Sequence, residues 1–278
     1  MGIQINGQTD IISATDGALN VSGADFTGVS AGSTSAPSIS PTGNSNTGIF
    51  FPSPDTVAIA EGGVEALRVD NNRRIIVAAS TPLTSAAAGA VEYDGKVVYS
   101  TPAGRGVSPS MMFYRLNGNF TGSNVSTEQP VYGVGVTLES NTIYAFSGIY
   151  QLQKSTNSTS HTIGTGFGGT ATLNNINAGI LWTRAAVATA SANMDTFSAF
   201  HAFATSAANL VLTGGIATAN QTFVARIAGT VSINAGGTFI PQYKLSANGG
   251  PYATLAGSYF SIWPIGAAGA NTSVGPWT

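Results

Sequence analysis

At 278 residues the chain is long enough for roughly one to three domains, among them a single large all-β domain. Only 8% of its residues are charged and the net charge is −2, with no cluster of Lys and Arg. That excludes the highly charged, core-poor composition of a disordered chain and argues against a nucleic-acid partner. Cysteine is absent, which excludes disulfides, thiolate catalysis and Cys-based metal sites.

The missing charge is replaced by Ser, Thr, Asn, Ala and Gly, so the expected surface is neutral and polar. Near-zero net charge leaves nothing to repel neighbouring copies and favours self-association. The opening "MGIQINGQTD" lacks the basic and apolar regions of a signal peptide, and Asn6 stands where a myristoylation signal needs Ser or Thr. Residues 1–30 alternate weakly through Ile3, Ile5, Ile11, Ile12, Leu19 and Val21, with turn material between them. Residues 31–55 have the composition of a linker, except that "GIFFP" implies that part of the segment is pinned.

From Asp55 the apolar period is two. Val57 and Ile59, Leu67 and Val69, then Ile75 and Val77 predict a three-stranded meander with turns at "EGG" (61–63) and "DNN" (70–72). "STPLTSAAAGAVEYDG" (80–95) reads as a boundary, and the remainder is a run of strand signals. "VYGVGVTLE" alternates Tyr132, Val134, Val136 and Leu138 against Val131, Gly133, Gly135 and Thr137. Residues 143–153 alternate through Tyr144, Phe146, Tyr150 and Leu152. "QTFVARIAGTVSIN" sets Phe223, Ala225, Ile227, Val231 and Ile233 on one side, and Phe239, Tyr243 and Leu245 follow. "SYFSIWPIG" opposes Tyr259, Trp263 and Ile265 to Phe260 and Ile262. Gly-rich turns between short strands predict a sandwich or jelly roll. Pro241 and Pro264 imply edge strands or bulges. Residues 185–212 admit a helix through Met194, Phe197 and Phe200, but dense Thr and Ser favour strand and loop.

Chemistry is thinly supplied. After Ser155 the charged residues are Arg184, Asp195, Arg226 and Lys244, joined by His161 and His201. Asp195 with His201 is better read as a turn cap and a polar strand residue than as a dyad. Glu61 with Glu65, and Glu92 with Asp94, lie in turn-like sequence without an aromatic cleft, so a paired-carboxylate glycosidase is disfavoured. Two histidines so far apart match no metal-site spacing. "GTGFGGT" (164–170) lacks the GK[ST] ending of a phosphate loop and reads as a flexible loop. The charge-free stretch Thr196 to Ala225 is too broken by polar residues to span a membrane. No catalytic, cofactor or metal residue is expected. Trp182, Tyr252 and Trp277 occupy loop-like contexts on a nearly chargeless chain and are the candidates for glycan or partner contacts.

The stretch "PSISPTGNSNTGIFFPSPDTVAIAEGGVEALRVD" resembles a segment of virion fibre proteins of tailed phages, particularly those of aquatic bacteria. The matching positions are Pro37, Ser38, Gly43, Asn46, Thr47, Gly48, Ile49, Phe50, Pro52, Asp55, Thr56, Gly63, Glu65, Arg68 and Asp70. After Asp70 the usual "SSGNVGIG" gives way to "NNRRIIV". "LESNTIYAFSGIYQL", "GTVSINAGGTFIPQYKLSA" and "GSYFSIWPIG" are similar to the trimeric jelly-roll domain that closes many such fibres, related in shape to complement C1q and tumour-necrosis-factor folds.

The resemblance implies an all-β homotrimer and a structural, non-enzymatic protein of the virion. Its parts would be an attachment segment at 1–30, an interlocked trimeric meander or prism at 31–85, and a jelly-roll domain at 86–278. The attachment segment would dock on other virion proteins of tail or capsid, and the C-terminal domain would meet host-surface polysaccharide. A head decoration or cement fibre is the alternative. A polysaccharide depolymerase tailspike is a third reading, opposed by the poverty of carboxylates. Size supports the trimer on separate grounds: strands of about five residues bury too little surface alone. Three copies would bury Val57, Ile59, Leu67, Val69, Ile75 and Val77 as one face and cover open strand edges.

Overall fold

The computed structural model describes residues 28–80, 87–101, 104–108, 110–157, 159–185, 194–204, 211–212 and 219–269. They form twenty strands, with no helix among the described residues, and every strand pairing is antiparallel. The chain divides after Ala78 into two compact units. That is earlier than the expected boundary near 85, because the amide of Ser80 donates to Tyr93 O at 2.8 Å and ties the connection to the second unit.

The first unit is a four-stranded sheet in sequence order: β1 (Gly48–Phe50), β2 (Val57–Glu61), β3 (Val64–Val69) and β4 (Ile75–Val77). Three of these strands follow the alternation in the sequence, and β1 is an addition supplied by "GIF". Gly62 and Gly63 join β2 to β3 with φ of +58° and +85°. Two consecutive positive φ values match the twist of a tight hairpin, and glycine adopts them without strain. The next turn is built on Asp70, whose carboxylate accepts the amides of Asn72 (2.9 Å) and Arg74 (3.0 Å) and the Arg74 guanidinium (2.5 and 2.8 Å). These contacts hold the Asp70 carboxyl below the usual carboxylate range, the Arg74 side chain contributing most. The linker-like segment is pinned as "GIFFP" implied. Ile39 and Ile49 bridge each other, and the Phe51 amide donates to Ala31 O at 2.8 Å.

The second unit begins with a three-stranded sheet of β5 (Val91–Tyr93), β6 (Val98–Ser100) and β7 (Gly106–Val107). Its hairpin turn is organised by Asp94, which accepts from the amides of Lys96 and Val97 and from the Tyr99 hydroxyl, all within 2.8 Å. Burial alone raises the Asp94 pKa, but those donors outweigh it and the net shift is downward. Burial and the Asp94 carboxylate push the Tyr99 phenol up to about 12. Arg105 clamps Glu92 through two bonds of 2.9 and 3.1 Å.

Two larger sheets follow. Their strands are β8 (Met112–Arg115), β9 (Phe120–Thr121), β10 (Gln129–Pro130), β11 (Val136–Leu138), β12 (Thr142–Lys154), β13 (Ile163–Gly168) and β14 (Thr172–Ala185). After them come β15 (Met194–Ala204), β16 (Val211–Leu212), β17 (Thr222–Ala235), β18 (Gly237–Leu245), β19 (Tyr252–Thr254) and β20 (Tyr259–Ala267). One sheet runs β15-β14-β17-β12, and the far edge of β12 is shared by β20 and β19, which carry β8 and β9 outside them. The other runs β16-β13-β18, with β10 and β11 both on the outer edge of β18. The sheets face each other as a sandwich. Phe146 of β12 lies 5.3 Å from Phe167 of β13 and 6.3 Å from Phe239 of β18, ring centre to ring centre.

The long strands keep the predicted faces: Tyr144, Phe146, Tyr150, Leu152, Phe223, Ala225, Ile227, Val231, Ile233, Phe239, Tyr243, Leu245, Phe260 and Ile262 are all buried. Pro264 falls beside a bulge where Ile143 pairs with Gly266 and Tyr144 with Pro264. Pro241 sits between the parts of β18 that β10 and β11 pair with. Residues 194–204 and 211–212 are strands, as the density of Thr and Ser favoured.

Two expectations fail. "GTGFGGT" is no flexible loop, since β13 pairs with β18 and β16 and is buried along almost its whole length. Its glycines leave room for close neighbours instead of making turns. The strand expected over 131–139 shrinks to β11, because Gly133 adopts φ +74° and breaks the alternation, so Val131 and Tyr132 are both buried. A Cβ on Gly133 would stand 2.6 Å from the Phe120 ring. Gly133→Ala is therefore expected to cost about 1–3 kcal/mol through clash and backbone strain. A urea denaturation midpoint unchanged from wild type would contradict that.

Candidate interaction surfaces

β2 alternates by burial. Ala58 and Ala60 pack beneath Phe50, while Val57, Ile59 and Glu61 point away. Register then sets the apolar neighbours side by side. Ile59 pairs with Ile49 on one flank and Leu67 on the other, and Leu67 pairs with Val77; Val57 pairs with Val69, which pairs with Ile75. All six residues expected to form a trimer core thus share one face of one sheet. In the single chain that face is open: Ile75 is 74% exposed and Val57 47%, with Ile59 and Val69 also exposed and Leu67 and Val77 half-buried. Exposed apolar faces of this kind are characteristic of contact surfaces. The charged residues lie off those two rows. Arg68 chelates Glu65 at 2.6 and 2.7 Å, and that hydrogen-bonded carboxylate raises its pKa.

The sandwich has its own apolar opening. Where β8 and β20 face Val134, Gly135, Val136 and Pro241, a pocket of about 200 Å³ enters between the two sheets. Its lining carries no charged side chain. Met112 and Tyr114 of β8 point inward, and Tyr114 stands edge-on to Tyr132 at 6.1 Å. Phe113 points the other way and stacks on Tyr259 at 5.5 Å. Met111, Phe113, Tyr114 and Val134 are all exposed around the opening, Phe113 by 57%. The Tyr132 hydroxyl donates to Tyr259 O at 2.7 Å, and burial pushes its pKa far up, so it stays a neutral donor.

The aromatic residues nominated for partner contacts are placed differently. Trp182 is buried in β14, edge-on to Tyr150 at 6.0 Å and to Phe223 at 6.4 Å. It continues the inward row of Ile176, Ala178 and Ile180 and so belongs to the core. Tyr252 is fully buried in β19, where its hydroxyl meets His161 Nε2 at 2.8 Å. Neither reaches the surface of the chain, and Trp277 lies outside the described residues. Phe113 and Tyr114 are the exposed pair instead. Nothing in the sequence singled them out, since β8 is only four residues long.

The carboxylates considered for catalysis that fall among the described residues are placed as follows. Glu61 ends β2, Glu65 is held by Arg68, Glu92 by Arg105, and Asp94 by its own turn. Asp195 and His201 lie on β15. Among the described residues, no three His, Asp or Glu side chains are grouped to hold a metal ion.

No protein family matches the sequence, and no curated protein does. One solved structure, that of infectious bursal disease virus Gx strain, aligns with 59% of this chain and 44% of its own at 10% identity. The chain thus spans under half of that relative's length. The TM-score is 0.15, too slight a likeness to carry an argument.

Proposed function

We propose that the chain is a structural protein of a phage virion, a homotrimeric fibre that performs no catalysis. The observation that carries this reading is the open face of the first sheet. Val57, Ile59, Leu67, Val69, Ile75 and Val77 form two cross-strand rows that nothing in their own unit covers, and three copies around an axis would bury them continuously. The resemblance of residues 37–70 to phage fibre segments agrees with it. The neutral composition and the single carboxylate after Ser155, Asp195, suit a passive surface better than acid–base chemistry. In this reading the sandwich is the partner-facing end, meeting host polysaccharide through exposed rings such as Phe113 and Tyr114, while residues 1–30 dock on the particle.

Two measurements test the proposal. Light scattering of the whole chain is expected to return three times the protomer mass, and a stable monomer would overturn the architecture. Reconstruction of the assembled particle is expected to place the fibre on the tail; density on the capsid shell would make it a head decoration instead.

A further inference from the structure

The end of the sandwich opposite in sequence to its pocket holds a buried pair of basic side chains. Two loops, one after β12 described over 155–157 and 159–162 and one after β18 described over 246–251, are laced together. Thr162 N donates to Ser246 Oγ at 2.9 Å, Ser246 N to Thr162 O at 3.0 Å, and Ser155 N to Pro251 O at 3.1 Å. His161 is the plug between them, only 3% exposed. Its Nδ1 donates to Thr159 O at 2.8 Å, so Nε2 is the unprotonated nitrogen and accepts from the Tyr252 hydroxyl at 2.8 Å. The ring lies against the backbone of Gly249, where even a Cβ would stand 2.0 Å from Nδ1. Beneath it Lys154, also buried, donates through Nζ to Asn157 O.

We propose that His161 is an acid-sensitive latch, whose protonation parts loop 155–162 from loop 246–251 and opens this end of the sandwich. The neutral ring satisfies every polar atom it meets. A protonated ring would have to donate from Nε2, which turns the Tyr252 hydroxyl proton away from its acceptor. The Tyr252 ring is packed against Phe223 and Tyr243, at 6.2 and 6.1 Å between ring centres, so little water reaches this layer to take the displaced proton. Protonation would also set a second positive charge beside Lys154, in a buried place where such charges are costly.

The groups facing His161 offer no relief. Tyr252 and Tyr243 are phenols kept neutral by burial, Tyr243 with its pKa pushed up to about 12. The two loops contribute no other titratable side chain, and Glu128 is engaged by Lys244 at 2.6 Å. Burial first, and the nearby Lys154 charge as well, hold the His161 pKa below its ordinary 6.5. The folded state therefore binds this proton less readily than the unfolded chain. The stability it gives is full above pH 6.5 and is lost as pH falls through the lowered folded value.

Local amide hydrogen exchange on the whole chain, corrected for intrinsic rates, tests this. Between about pH 7.5 and about pH 5.5, a window that brackets histidine titration, protection in 155–162 and 246–251 is expected to fall several-fold while that of β12 and β17 holds. His161→Gln is expected to abolish the pH response. Equal responses in wild type and variant, or none in wild type, would overturn the latch. Should the variant not fold, the wild type decides alone: loop protection that falls with the His161 imidazole titration followed by NMR supports the latch, and a loop response that does not track that titration overturns it.

Discussion

Ile75→Asp is expected to dismantle the proposed trimeric contact of the first sheet while leaving the fold of the single chain intact. Ile75 pairs with Val69 at the outer end of the open face and is the most exposed of its residues, so the isolated protomer loses almost no burial. Around a threefold axis the same change brings three carboxylates into an apolar contact. An uncompensated buried charge costs about 3–5 kcal/mol, far more than the exposed Ile75 contributes to its own unit. Proteolysis within residues 48–77 should therefore accelerate by at least about tenfold, since 1.4 kcal/mol already changes an opening equilibrium by that factor. Circular dichroism of the sandwich should not change. Cleavage at the wild-type rate would mean that this face meets no second copy.

Phe146→Ala has the largest expected effect on folding itself. Its ring sits at the centre of the sandwich, with Phe167, Phe239 and Phe260 at 5.3, 6.3 and 5.9 Å. Those rings come from both sheets, so the cavity left behind would not close by moving one strand. Loss of a buried Phe in such a setting costs about 3–5 kcal/mol. Urea denaturation should record a drop of that size. A loss below about 1 kcal/mol, the range of surface substitutions, would show that the two sheets do not share this core.

What the sequence disclosed and what it hid follow one physical line. β12 and β17 were legible because each is long and alternates over most of its length, so one face of apolar side chains stands out: Tyr144, Phe146, Tyr150 and Leu152 on β12, Phe223, Ala225 and Ile227 on β17. β13 was not, because glycine ordinarily marks turns, whereas here Gly164, Gly166 and Gly168 serve a strand buried on both sides. Trp182 and Tyr252 were misread for a related reason. Both read as loop residues in the sequence, and only the pairing of β14 with β17 and of β19 with β12 turns them inward. The apolar opening depends on β8 lying opposite residues 134–136, and the latch on loops that leave β12 and β18. Local pattern carries no trace of meetings between such distant segments. The open face of the first sheet was legible, since its three hairpin-connected strands are consecutive.

The position of β12 also bears on how the chain is made. Ile149 has Arg226 on one side and Tyr259 on the other, so both partners of this strand lie far downstream of it. A ribosome delivers β12 long before either neighbour exists, and until then thirteen residues of alternating apolar strand wait with both edges bare. The edges of β12 can be covered only once β17 and β20 have been made. A nascent chain arrested before Tyr259 would expose the very strand on which the finished core is built.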